Sequence, residues 1–199
     1  MPFEDEKIAA VLNEWEEQQR NHDILSGPVE AEGRTYTFAP RSFFDDRLHM
    51  YVPESFQLMS KSMQKAKYPY EDRPAVILTN GRCEVDLTFQ HVDQPLQDDW
   101  IPELVDGMKQ MIRNVQPTNV FYEQKVEQVN GKSIGYFDFK SPALDQPAYR
   151  LMFYLELDGE TIMGGFSCPY KSHADWRPLI MQMLHTIHTK ATTEGGTIQ

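Results

Sequence analysis

The stretch Tyr149-Arg150-Leu151-Met152-Phe153-Tyr154-Leu155-Glu156-Leu157-Asp158-Gly159-Glu160-Thr161-Ile162 decides the fold. Tyr149, Leu151, Phe153, Leu155 and Leu157 recur at every second residue, the period that places side chains on one face of a strand. The Asp158-Gly159 pair that ends the run tolerates the positive φ angles of a type I′ turn, so the chain is predicted to fold back on itself as a hairpin. Asn80-Gly81 and Asn130-Gly131, each between strand-like runs, predict two more hairpins. Around the first of these, Cys83, Val85, Leu87 and Phe89 share one strand face, and Glu84, Asp86, Thr88 and Gln90 share the other. A sheet with one polar face is characteristic of antiparallel pairing, which disfavours a doubly wound nucleotide-binding fold.

Working outward, Thr35-Tyr36-Thr37-Phe38 and Leu48-His49-Met50-Tyr51-Val52 read as earlier strands. Two helices punctuate the hairpins: one carries Ile101, Leu104, Val105, Met108, Met111, Ile112 and Val115, the other Trp176, Leu179, Ile180, Met183, Leu184 and Ile187. Both open on a similar phrase, Asp99-Trp100-Ile101-Pro102 and Asp175-Trp176-Arg177-Pro178, in which Asp is expected to cap free N–H groups and Pro to occupy the first turn. The strand patterns around the two phrases differ, so shared helix-start chemistry explains them better than duplication. Ile8, Val11, Leu12 and Trp15 form one stripe of an amphipathic helix over residues 6 to 20, which Ser26-Gly27-Pro28 interrupts. The expected organisation is an acidic helix and connector over 1–34, an α+β domain over 35–189 and a flexible tail over 190–199.

The chain has 199 residues, 40% of them hydrophobic and 25% charged, which is ordinary globular usage and suits one core. Its formal net charge of -11 argues against nucleic acid, whose binding draws on clustered Lys and Arg. The start is acidic and without an apolar leader, and no run approaches the roughly 20 apolar residues of a membrane span, so a cytoplasmic location is expected. Cys83 and Cys168 are the two cysteines, and in that compartment they are expected as reduced thiols.

Paired strands, a strand closed by Met50-Tyr51-Val52-Pro53-Glu54-Ser55-Phe56, a hairpin, a helix, two further hairpins and a last helix opening at Asp175-Trp176 make an order that resembles the PsbP-like superfamily. That superfamily includes the photosystem II extrinsic protein, the Ran-binding nuclear import factor, bacterial DcrB-type proteins and the Eag adaptor chaperones of type VI secretion. The resemblance spans about residues 35–189. It implies an α/β/α sandwich with a central antiparallel sheet, and relatives that mostly bind other proteins. It carries over no catalytic residue and no cofactor.

The residues that bear chemistry point the same way. His185 and His188 could share one side of a metal, but no further ligands are spaced to join them, so solvated imidazoles are the simpler reading. Cys83 and His91 lie about 26 Å apart along a regular strand and form no local dyad. Cys168, before Pro169 and near His173, would serve as a nucleophile if exposed; a buried thiol is the plainer alternative. Gly164-Gly165 reads as a strand bulge more readily than as a ligand platform. Asp45-Asp46 and Asp98-Asp99 read as solvated turn and cap acids. Met108, Met111, Met181 and Met183 read as core filler. No phosphate loop, nucleophile elbow or His-Glu-x-x-His helix occurs.

No catalytic, cofactor or metal residue is assigned. Lys61, Lys65 and Lys67 beside Tyr68 and Tyr70 form the candidate partner-binding segment, because local positive charge and aromatics on an acidic chain suit an interface; a solvated loop is the alternative. The expected function is a non-catalytic protein-binding module, such as an adaptor or assembly factor. The alternatives are a small-molecule or lipid-like carrier with a cavity between sheet and helices, and a thiol enzyme using Cys168. The N-terminal helix is expected either to pack on the sheet edge or to exchange with a second copy in a homodimer.

Overall fold

The structure, a computed structural model, describes residues 23–69, 71–143 and 145–190. In chain order the elements are β1 (Val29–Ala31), β2 (Arg34–Tyr36), β3 (Phe38–Phe43), β4 (Leu48–Pro53), β5 (Gln57–Leu58), α1 (Lys61–Lys67), β6 (Val76–Thr79) and β7 (Asp86–Pro95). They continue with α2 (Ile101–Val115), β8 (Val120–Val129), β9 (Lys132–Ser141), β10 (Ala148–Leu157), β11 (Glu160–Pro169), α3 (His173–His185) and β12 (His188–Thr189). The helix expected over residues 6 to 20 lies outside the described residues, as do 191–199.

The alternating run is β10, and its two neighbours pair with it antiparallel in a seven-stranded sheet of order β5-β6-β7-β11-β10-β9-β8. A three-stranded sheet, β12-β4-β3, and the β1-β2 hairpin complete the strands. Alternation sorts the core into two layers. Tyr149, Leu151 and Phe153 of β10 and Phe89 of β7 pack with Trp176 and Ile180 of α3 and with Leu48 and Met50 of the small sheet. On the opposite face Phe137, Phe139 and Tyr154 pack beneath Ile101 and Val105 of α2. Each such side chain contributes roughly 1.5–3 kcal/mol when fully buried, so a period-two strand supplies both layers at once. The two helices therefore cover opposite faces of one antiparallel sheet.

Two hairpins turn as expected: Asn130 and Gly131 have φ of 49° and 83°, and Asp158 and Gly159 have 52° and 83°. The third differs. Six residues join β6 to β7, Asn80 Oδ1 accepts the N–H groups of Glu84 at 3.0 Å and Val85 at 3.4 Å, and Cys83 takes φ of 56°. Cys83 thus sits in the turn and not on the strand face with Val85, because the Asn80 side chain gathers the loop in place of a two-residue turn. At the β8–β9 turn, Asn130 also donates from Nδ2 to Ile187 O at 2.8 Å. Asn130→Ala loses that bond and strains a left-handed residue, so it is expected to lower stability by about 1–2 kcal/mol, read as a reduced urea midpoint at unchanged slope.

The helix starts also depart from expectation. No side chain caps α2, the expected Asp99 included; its neighbour Asp98 accepts the Ser133 N–H at 3.0 Å and ties the helix entry to β9. Helix α3 begins at His173 after a turn of 3-10 helix, which leaves Pro178 inside the helix, and Asp175 Oδ2 accepts the Glu32 N–H at 2.8 Å. In both cases the carboxylate serves a neighbouring hairpin. The segment expected as a connector is part of the core, since Ile24, Val29 and Ala31 are buried. Residues 61–67, which the loop alternative left irregular, form α1, whose N-cap Ser60 accepts the Met63 N–H at 3.4 Å; none of its residues is buried. Among the described residues no helix is long and apolar enough to cross a membrane.

Candidate functional site

Helix α2 packs over β8, β9 and β10 and leaves the same face of β7 and β11 open. The uncovered area is a cleft of about 290 Å³. Its floor is set by register: Asp86 lies opposite Ser167, Ser167 opposite Arg150, and Arg150 opposite Phe139. The next row across is Thr88, Gly165 and Met152. Ile112 of α2, Gln116 at its C-cap and Asn119 ahead of β8 form one wall; Tyr68 and Pro74, from the connection between α1 and β6, form the other.

Asp86 is fully buried, and a buried carboxylate persists only when it is paired and hydrogen-bonded. Its Oδ1 accepts Thr79 Oγ1 at 2.7 Å, while Oδ2 accepts Tyr68 Oη at 2.9 Å and pairs with Lys67 Nζ at 2.6 Å. Lys67 also donates to Cys83 O at 2.6 Å. Burial, then the Asp86 charge, pushes the Tyr68 phenol well above its ordinary range, so it stays a hydrogen-bond donor. Two other polar groups in the cleft stand out, one because it is charged and one because it is buried, and neither is committed. Arg150 is exposed and makes no hydrogen bond or ion pair among the described residues, and the buried Asn119 Oδ1 has no partner. The cleft therefore offers a cation and a buried acceptor against the apolar surfaces of Ile112, Phe139, Met152 and Met163.

The candidate segment from the sequence lies at this site. Lys61 and Lys65 are exposed on α1, Lys67 and Tyr68 are anchored on Asp86, and Tyr68 is a cleft wall. Tyr70 lies outside the described residues. Sequence reasoning missed Arg150 and Asn119. Arg150 was legible only as one polar position of a strand face, and nothing local marked Asn119, whose role comes from the packing of α2 beside β8.

Other candidates fall elsewhere. Cys168 is buried, and that burial pushes its thiol far above the ordinary range, the opposite of what a nucleophile needs. His173 stacks on Tyr170 with ring centroids 4.4 Å apart, and its Nδ1 lies 2.9 Å from Tyr170 O. Iodoacetamide is accordingly expected to label the half-buried Cys83 in the native protein and to reach Cys168 only in denaturant, as peptide mass mapping would show. Rapid native labelling of Cys168 would restore the thiol-enzyme reading.

The two histidines diverge because α3 ends between them. His185 Nε2 meets Glu127 Oε2 at 2.8 Å, whereas His188 enters β12 and stacks on His49 at 4.7 Å. Among the described residues no cluster of three His, Cys, Asp or Glu could hold a metal ion. Gly164-Gly165 is not a bulge; both pair in register, and the shift in β11 lies at Glu160/Thr161. Gly164 accommodates the Phe153 ring, and Gly165 sits beneath Thr88 on the cleft floor. Asp46 pairs with His49 and Lys190 in place of standing free. Of the methionines, Met183 is buried and Met108 and Met181 pack against the core, but Met111 is exposed.

An antiparallel sheet with a helix on each face, a small second sheet and an open cleft beside α2 define an α+β sandwich. The fold is PsbP-like. The chain is similar to cyanobacterial PsbP (CyanoP) from Synechocystis sp. PCC 6803, with a TM-score of 0.56 and 9% identity over 77% of this chain and 92% of that one. Weaker likenesses are to PA94 of Pseudomonas aeruginosa, a protein of unknown function (TM-score 0.47, 8% identity, 78% of this chain and 99% of that one), and to LpqN of Mycobacterium tuberculosis, involved in cell envelope biogenesis (0.45, 11%, 77% and 91%). No protein-family model and no curated sequence matches the chain. At such identities the likeness is one of fold, and function has to be argued from the site.

Proposed function

We propose that this chain is a non-catalytic binding module that recognises a protein partner at the cleft between α1 and α2, as an adaptor or assembly factor does. The observation that carries the reading is Arg150, unpaired among the described residues, on the floor of an open cleft, with exposed Lys61 and Lys65 on the adjoining helix, in a chain of net charge -11. Local charge opposite to the global charge selects and orients partners at an interface.

Native mass spectrometry of the tagged protein drawn from its own host tests it. A stoichiometric protein partner is expected, retained by Lys171→Glu and lost in the Lys61→Glu/Arg150→Glu double variant. Equal retention by that double variant would remove the cleft from the reading. A second reading, a small-molecule or lipid-like carrier, is favoured by the cleft volume of about 290 Å³, near the lower end of ligand pockets. A bare monomer carrying a small mass released on denaturation would replace the protein-partner reading with this one.

A further inference from the structure

We propose that what the cleft takes is the C-terminal end of a peptide chain with an apolar last side chain, held by its carboxylate at Arg150 and by a backbone N–H at Asn119. This deepens the protein-binding reading and rests on it. The two uncommitted groups set the chemistry. A guanidinium presents a planar fork of donors that matches a carboxylate, and Arg150 spends none of them on the described residues. Asn119 Oδ1 is an acceptor, buried and unpartnered, so a ligand that brings an N–H relieves an unfavourable group.

Their spacing fits one terminal residue. Phe139 lies opposite Arg150 on one side and Phe121 on the other, so Arg150 and Phe121 are two strands apart, and Asn119 is two residues before Phe121. With strands about 4.8 Å apart and a rise of about 3.3 Å per residue, the Cα atoms of Arg150 and Asn119 are separated by roughly 12 Å. The long Arg side chain spans part of that distance, and the remainder suits a carboxylate and the N–H of the same residue. Ile112, Met152 and Met163 supply the apolar surface between for its side chain.

Other occupants fit less well. A phosphate group brings more than one negative charge, yet the cleft holds a single uncommitted cation, and the carboxylate of Asp86 shares its floor, already compensated by Lys67. A long acyl chain exceeds about 290 Å³.

The test is an NMR titration of the full chain, following the backbone amides of Arg150, Asn119 and Ser167. The probes are acetyl-Ala-Leu as free acid, the same dipeptide as its C-terminal amide, and 4-methylpentanoate, which has the acid and the apolar group without the N–H. The free acid is expected to shift these amides and to bind at least about tenfold more tightly than the amide. It is also expected to bind several-fold more tightly than 4-methylpentanoate. Arg150→Gln, a change at an exposed side chain, should keep the native spectrum and abolish the preference for acid over amide. Equal binding of acid and amide, or shifts confined to other surfaces, would overturn the proposal. Equal binding of 4-methylpentanoate and the dipeptide acid would overturn it in favour of a simple organic acid. A host protein lost with Lys61→Glu/Arg150→Glu but no binding of the dipeptide acid would sink the chain-end inference alone. Binding of the acid with no host protein partner would sink the adaptor reading.

Discussion

Replacing Gly164 by alanine is expected to destabilise the protein by about 3 kcal/mol, the upper end of ordinary overpacking. Strand β11 is interior to the large sheet, and Gly164 lies opposite Phe153 of β10 and Phe89 of β7. The Phe153 ring lies so close over Gly164 that an added Cβ would overlap it. The ring has nowhere to go: it meets Phe89 edge-on at 5.7 Å, and Phe89 is held by Phe43 at 4.4 Å. Alanine restricts the unfolded chain and recovers roughly 0.4–1 kcal/mol, too little to offset the clash. Gly165→Ala is the contrast, because its Cβ would crowd the Thr88 hydroxyl alone, at 2.8 Å, which can rotate away for the loss of one hydrogen bond, to Gly165 O at 3.2 Å. Urea unfolding of both variants, and of Gly164→Ala combined with Phe153→Leu, checks the argument. The Leu variant should recover part of the loss by making room for the methyl group. Equal costs at the two glycines would show that strand conformation, not the Phe153 ring, sets the penalty.

Arg177→Met is expected to cost a similar amount, about 3 kcal/mol, for an electrostatic reason. Asp138 is fully buried in β9. Its Oδ2 accepts Arg177 Nε at 2.7 Å and Tyr149 Oη at 2.9 Å, and its Oδ1 accepts the Glu123 N–H at 2.7 Å. Arg177 also donates from Nη2 to Glu123 Oε2 at 2.7 Å. Methionine matches the length of the stem but leaves the carboxylate with no cation. Partial exposure of Arg177 lets water relieve some of this, which holds the figure at the low end for a broken buried pair. The hydrogen bond to Asp138 raises the guanidinium pKa above its already high ordinary value. A group raised on folding contributes its stability fully below its unfolded pKa, here strongly alkaline, and loses it only as pH rises through the folded value. The difference between wild type and Arg177→Met should therefore be flat from about pH 6 to about pH 9. Asp138→Leu added to Arg177→Met removes both charges and should restore part of the stability. A double variant as unstable as the sum of the singles would mean that the two side chains act independently.

The framework was legible in the residues because it rests on local periods. The alternation of Tyr149 to Leu157, the stripe from Ile101 to Ile112, and the two Asx-Gly pairs at Asn130 and Asp158 each act within a few residues and appear in the structure where the pattern put them, except that Met111 and Val115, expected in the stripe, are exposed. The failures lie where a side chain was free to choose a distant partner. Asp99 and Asp175 carry the local signature of helix caps, yet neither caps its helix: Asp98, beside the first, serves Ser133, and Asp175 serves Glu32, because the neighbouring hairpins bring unpaired N–H groups within reach. Asn80-Gly81 carries a two-residue turn signature, yet Asn80 organises a six-residue turn by accepting two N–H groups. Glycines 164 and 165 read as a break in pairing and are instead fully paired; the reason for Gly164 is the Phe153 ring on the next strand.

The candidate site divides along the same line. Lys61 to Tyr68 stood out by charge and aromatic content, both properties of the sequence itself. Its tether to Asp86 joins residues far enough apart in the chain that only the folded protein could reveal it. Arg150 and Asn119 became a pair because β10, β9 and β8 lie side by side and α2 stops short of β7 and β11.

By itself the amino-acid sequence determined the long hairpin strands and the two helices that cover the sheet, the antiparallel pairing and the acidic character, since these follow from side-chain period, turn chemistry and charge, which act locally or as sums. Only the tertiary structure decided which polar groups are satisfied and which are left over. That depends on register and on where a helix ends over a sheet, and neither is written in any one segment of the chain.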